Sequence, residues 1–218
     1  MRSRFIACCL VMIAAVCAVT GYFWPTLPEY IPLHWNYAGE VDSYEPRELL
    51  WLLGPGLMTI MMLIALLMPH FSPRRFEIKT FESTWWYSMT IIVAMPAYIS
   101  TLVLISALGR EVAMKQALPA GLFTMMILLG NPLGKVRKNF FLGVRTPWTL
   151  SNDRVWYATH RLTAKLMVIS GVLGLAGLLL GVANWILVAL LFGWALVAVI
   201  FSLVYYKRLE RSGNLEPR

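Results

Sequence analysis

Six stretches of this chain stay apolar for close to the thickness of a bilayer: residues 5–24, 49–68, 85–108, a shorter one starting near 112 or 117 and ending at 130, 162–181 and 185–206. A helix needs about 20 predominantly apolar residues to cross hydrocarbon. No water is available there, so each crossing segment must satisfy its own backbone hydrogen bonds, and unbroken apolar runs do so as helices. The chain is 59% hydrophobic and 14% charged, against about 25% charged in an ordinary soluble domain. Its aqueous segments are too short to bury a core of their own. The expected fold is therefore an all-α integral membrane protein with six transmembrane helices. Residues 1–130 would hold four spans and an acidic outer loop at 25–48. Residues 131–218 would hold a basic loop and two spans.

Charge gives the orientation. With six spans, alternate aqueous segments place sixteen Lys and Arg on one side and three (Arg47, Arg110 and Lys115) on the other. Basic residues accumulate on the cytoplasmic side of inner-membrane proteins. Both termini and the loop between spans four and five are thus expected in the cytoplasm. Deleting the fourth span would put the main basic loop outside and destroy the asymmetry. The net charge of +8 is read as this topology signal. No recognition motif accompanies it, so nucleic acid is not an expected partner; the expected partner of the spans is the lipid bilayer.

The first span follows Arg2 and Arg4 and ends in Tyr22, Phe23, Trp24 and Pro25. It exceeds the 7–15 apolar residues typical of a signal peptide and ends in an aromatic belt, so it reads as a retained anchor. Bulky Val16 before Cys17 argues against a lipoprotein site. Cys8, Cys9 and Cys17 all lie in this run, and one helix cannot readily bridge them. Residues 25–48 hold five of the eleven acids, with Pro25, Pro28 and Pro32 favouring extended backbone and a turn at 38–40. Pro69 should end span two, and Pro96 should kink span three. Gly171, Gly174, Gly177 and Gly181 mark a close-packing face on span five, read as packing within the chain rather than dimerisation. No Asp, Glu, Lys or Arg falls in the middle of a span, which weakens a reading as an ion-coupled transporter.

Residues 130–162 concentrate the rest of the information. They carry Lys135, Arg137, Lys138, Arg145, Arg154 and Arg161, with Lys165 just beyond. The run 130–135 resembles a phosphate-binding loop, but it has three residues between its glycines and Val136 after the lysine, and the reading fails. Residues 139–148 suit a headgroup layer, with aromatics toward acyl chains and bases toward phosphates. Thr146 precedes Pro147 and should be extended. Ser151 can N-cap a helix with Asp153 in its first turn. That helix would place Val155, Trp156, Thr159 and Leu162 on one side, and His160 and Arg161 at the membrane surface. In the outer loop, His34 with Asp42 and Glu45 matches no compact ligand spacing, so turn and capping bonds are preferred to a metal site. No hydrolase or protease signature occurs, and neither an enzyme nor a cofactor is expected.

The run Asn139, Phe140, Phe141, Leu142, Gly143, Val144, Arg145, Thr146, Pro147, Trp148, Thr149, Leu150, Ser151, followed by Val155, Trp156, Thr159, His160 and Arg161, resembles the SdpI family of bacterial membrane immunity proteins. The outer loop, from Leu27 and Pro28 through Ile31, Pro32, Leu33, His34, Trp35 and Asn36 to Gly39 and Asp42, is similar to the small uncharacterised membrane domain often joined to that family's core. The resemblance implies six spans in a bacterial inner membrane. It also implies protection against a secreted membrane-active peptide, with signalling to a cytoplasmic regulator. On this reading His34, Asn36, Gly39 and Asp42 form an outer binding region. Asn139, Gly143, Arg145, Thr146, Pro147, Trp148, Trp156, His160 and Arg161 form an inner one. The alternatives are a small-molecule or lipid transporter whose polar site lies between the spans, supported by the kinked third and glycine-rich fifth spans, and an envelope protein with no ligand.

Overall fold

The computed structural model describes residues 1–36, 38–73 and 78–215. Arg74, Arg75 and Arg218, counted above among the bases, lie outside the described residues. The element order is α1 (Arg2–Phe23), β1 (Tyr30–Trp35), β2 (Val41–Pro46), α2 (Leu49–Phe71), α3 (Glu82–Ala107), α4 (Met114–Leu133), the short α5 (Pro147–Ser151), α6 (Asp153–Leu179) and α7 (Asn184–Arg211). The six long helices are α1, α2, α3, α4, α6 and α7, and each is long and apolar enough to cross a membrane. Six spans were expected, and six are found.

The boundaries differ where local rules compete. Pro69 lies inside α2, which runs on to Phe71. Residues 52–56 of that helix form a π-turn around Pro55. A proline removes one ladder bond, and a π-turn re-pairs the backbone around the gap. Pro96 likewise sits inside α3. The outer loop goes beyond an extended chain: β1 and β2 pair antiparallel, with Tyr30 opposite Pro46, Ile31 opposite Glu45 and Trp35 opposite Val41. Register irregularities flank His34.

Two units divide the chain. The first comprises Met1–Leu67 and Met89–Gly121. Here the hairpin's inner face joins helix ends in one apolar cluster of Leu27, Ile31, Leu50, Val103, Leu104 and Ala107. Trp24, Leu33 and Trp35 pack against it. Arg47 fastens the hairpin to the end of α1. Its guanidinium lies 4.6 Å from the Trp24 ring centroid and its Nη1 donates to Leu27 O at 2.9 Å. Deeper in, a Cβ at Gly54 would stand 3.1 Å from the Ser100 side chain, so α2 and α3 touch nearly backbone to side chain. Close approach of this kind replaces the hydrophobic drive that lipid does not provide between helices.

The second unit comprises Met68–Ser88 and Leu122–Arg218. The glycine face of α6 is used within the chain, as expected. A Cβ at Gly171 would stand 2.6 Å from Ile127, and one at Gly174 would stand 2.3 Å from the ring of Phe123. Phe123, fully buried, fills that notch. α6 turns into α7 through residues 180–183, with Gly181 at φ +67° and Val182 N donating to Gly177 O at 2.9 Å. Leu179, Leu180 and Trp185 stand exposed around this turn, at 90%, 80% and 72%. The two helices therefore run antiparallel, and the C-terminal end of α7 lies beside the N-terminal end of α6.

Candidate functional site

The loop before α6 is organised by Asn139, whose side chain is wholly buried. Its Oδ1 accepts from Phe141 N at 2.8 Å and Leu142 N at 2.7 Å. Its Nδ2 donates to Arg137 O at 2.8 Å and Leu142 O at 3.1 Å. One amide thus satisfies four backbone groups of an irregular segment that makes no ladder of its own, and each would be costly if left unpaired in a dry place.

Thr146 is extended (φ −88°, ψ 160°), as its position before Pro147 requires, and opens α5 with a reciprocal capping box. Thr149 N donates to Thr146 Oγ1 at 3.2 Å, and Thr146 N donates to Thr149 Oγ1 at 3.0 Å. The Thr149 hydroxyl then reaches Val144 O at 2.8 Å. Thr146 Oγ1 also meets Ser202 Oγ of α7 at 3.0 Å, while Ser202 donates to Val199 O at 2.7 Å. A chain of hydroxyls therefore ties the loop to the last span.

The cap of α6 is Asn152, not Ser151: Val155 N donates to Asn152 Oδ1 at 3.2 Å. Ser151 is the last residue of α5, and its hydroxyl is turned back to Trp148 O. Both types cap well. The preceding capping box makes a turn of helix that uses up Ser151 before α6 begins.

His160 corrects the expectation most sharply. It does not lie at a surface; it is fully buried and stacks on Trp156, with ring centroids 4.0 Å apart and planes 22° apart. Val144 N donates to His160 Nε2 at 3.0 Å, so that nitrogen carries no proton. Nδ1 then donates to Trp156 O at 2.8 Å. The imidazole is neutral and engaged at both ends. Trp156, also fully buried, donates Nε1–H to Val136 O at 2.8 Å. Gly143 completes the contact. Its φ is +111°, and a Cβ there would fall 2.1 Å from His160 Nε2. Only glycine lets the loop backbone lie on the imidazole.

Thus Asn139, Gly143, Thr146, Trp156 and His160 form one structural lock. The expected inner contacts that remain exposed are Arg145, Pro147 and Arg161, with Trp148 half-buried. The Arg145 guanidinium donates to Phe140 O. Lys138 pairs with Asp153, and Arg137 Nη1 donates to Tyr157 Oη at 3.1 Å. Thr149, Asn152 and Ser202 were missed in the sequence. A capping-box pattern from 146 to 149 signals the first, whereas nothing local signals Ser202.

In the first unit the four expected outer residues build the hairpin. His34 Nδ1 lies 2.5 Å from Asp42 Oδ1. Asn36 Oδ1 accepts from Ala38 N at 2.9 Å and Glu40 N at 3.0 Å, and Gly39 sits at φ +88°. Tyr30 and Tyr44, which sequence reasoning passed over, stand exposed on the same hairpin at 56% and 60%. The alternation of 41–46 could have shown it. Among the described residues, no three His, Cys, Asp or Glu side chains gather as a metal group.

Six apolar helices bearing an aqueous hairpin and a locked loop define a multi-pass membrane protein of the bacterial cell membrane. Residues 135–206 match the SdpI/YfhL protein family, so the resemblance read from Asn139 to Arg161 stands, and residues 11–60 match the domain of unknown function DUF1648. Along its length the chain is similar to Immunity protein SdpI of Bacillus subtilis (strain 168), with 26% identity over 215 residues, 97% of this chain and 100% of the relative. No solved structure matches it significantly.

Proposed function

We propose that the chain is an immunity protein: it sits in the membrane with both termini and the 134–152 loop in the cytoplasm, and protects the cell against a secreted membrane-active peptide. The observation that carries this is end-to-end similarity to a relative named as an immunity protein. The orientation rests on the sixteen-to-three division of bases.

The hairpin supplies the outer contact on this reading. Residues 25–48 carry five acids and one base, so a cationic amphipathic peptide is drawn to it electrostatically. Because His34, Asn36, Gly39 and Asp42 hold the turn together, the contacting groups are the exposed Tyr30 and Tyr44 with the acids around them. Inside, the lock leaves Arg145, Trp148 and Arg161 to meet a regulator. Glycine and histidine of the motif fix the backbone that presents them.

The test is survival of a sensitive bacterium, with and without this protein, across a panel of secreted antimicrobial peptides. Selective protection against one peptide is expected, reduced at least about tenfold in killing concentration by Tyr30→Ala with Tyr44→Ala. No protection, with the protein verified in the membrane, would sink the reading.

A further inference from the structure

The last turns of α7, with Ser212 just beyond them, carry a shallow, open amphipathic groove that plays no part in the lock. Its volume is about 570 Å³, and it is lined by Leu203, Val204, Lys207, Arg208, Arg211 and Ser212. Leu203, Lys207 and Arg211 are four residues apart, and so are Val204, Arg208 and Ser212, so the lining forms two adjacent stripes of one helix face. The opposite face is anchored, since Ser202 and Leu209 are buried. Along the axis the open face changes from aliphatic to cationic over about 12 Å.

The charge in this groove is unbalanced. Glu210 is paired with Lys207 at 2.7 Å, which leaves Arg208 and Arg211 without a carboxylate partner among the described residues. A free anion would have no use for the Leu203 and Val204 end. A neutral lipid would have no use for the arginine end. We propose that this groove holds an anionic phospholipid, with its phosphate between Arg208 and Arg211 and the start of an acyl chain along Leu203 and Val204. Guanidinium groups suit phosphate oxygens by their forked geometry, and their position at the end of a span sets them at headgroup depth. The proposal does not depend on the immunity reading.

Native mass spectrometry of the detergent-purified full chain, offered phosphatidylglycerol and phosphatidylcholine in equal amounts, tests it. One phosphatidylglycerol should be retained about fivefold or more over phosphatidylcholine. Arg208→Gln with Arg211→Gln should bring the two lipids to parity, while Arg208→Lys with Arg211→Lys keeps most of the preference. Millimolar inorganic phosphate should not displace the lipid. A photoactivatable phosphatidylglycerol on the unaltered chain should crosslink within residues 203–212, a readout that stands even where a variant fails to fold. Parity in the unaltered chain, an unchanged preference in the glutamine variant, displacement by phosphate, or crosslinks confined to other segments would each overturn the site.

Discussion

The outer hairpin and the inner loop are assembled from the same three parts. Each has an asparagine whose Oδ1 collects two backbone amides, Asn36 for Ala38 and Glu40, Asn139 for Phe141 and Leu142. Each has a glycine at positive φ, +88° at Gly39 and +111° at Gly143. Each has a histidine bonded at short range. Their surroundings are opposite. The His34 side chain is 69% exposed, while Asn139 and His160 are wholly buried. Water can replace the exposed turn bonds around Asn36 and His34, whereas the buried Asn139 and His160 side chains are shut off from water that could take over a lost partner. Identical chemistry should therefore be worth far more in the second unit than in the first.

Paired substitutions, read as thermal unfolding in detergent, measure that difference. The largest gap is expected between the glycines. Gly143→Ala adds a methyl where His160 stands, in a strained backbone region, and should cost more than about 3 kcal/mol. Gly39→Ala is strained too, at φ +88°, but meets only Lys115, whose Cβ would stand 3.2 Å and backbone N 3.6 Å away, and should cost about 1–2 kcal/mol. Equal losses would break the comparison at its strongest point. The asparagines come next: Asn139→Ala abandons four part-buried backbone groups and should cost about 2–3 kcal/mol, against about 1 kcal/mol for Asn36→Ala. For the histidines, His160→Phe keeps the stacking on Trp156 but strands Val144 N–H, at about 1–3 kcal/mol. His34→Ala breaks an exposed pair, and a loss above about 1 kcal/mol there would contradict its screened setting. The smallest stability effect is expected at Arg145→Ala. It should leave the melting temperature within about 2 °C while lowering survival in the peptide challenge; a large drop in melting temperature would make Arg145 part of the lock instead.

The sequence carried the spans almost directly, because hydrocarbon thickness and backbone pairing leave a long apolar run few options. It carried the glycine face of α6 for the same reason, since small residues at that spacing have little other use in lipid. The bend at Thr146 followed from one neighbour, Pro147. What stayed hidden depended on partners far along the chain. His160 reads locally as an interfacial residue between Thr159 and Arg161, and its burial is decided by Gly143, seventeen residues earlier. Ser202 is one hydroxyl in an apolar run until Thr146 reaches it. The hairpin was half legible: prolines forced extension and 38–40 marked the turn, but pairing lies in the alternation of 41–46, which the acids there disguised as a solvated loop.

The turn between α6 and α7 bears on how this protein can be observed. Residues 180–183 are small or aliphatic, and leucines and a tryptophan ring the turn. An impermeant reagent, an antibody or a trypsin-like protease finds no handle there from the aqueous phase on either side. Sidedness is better read from single cysteines at Ser212 and Gln116, two exposed positions that the six-span topology assigns to opposite faces of the membrane.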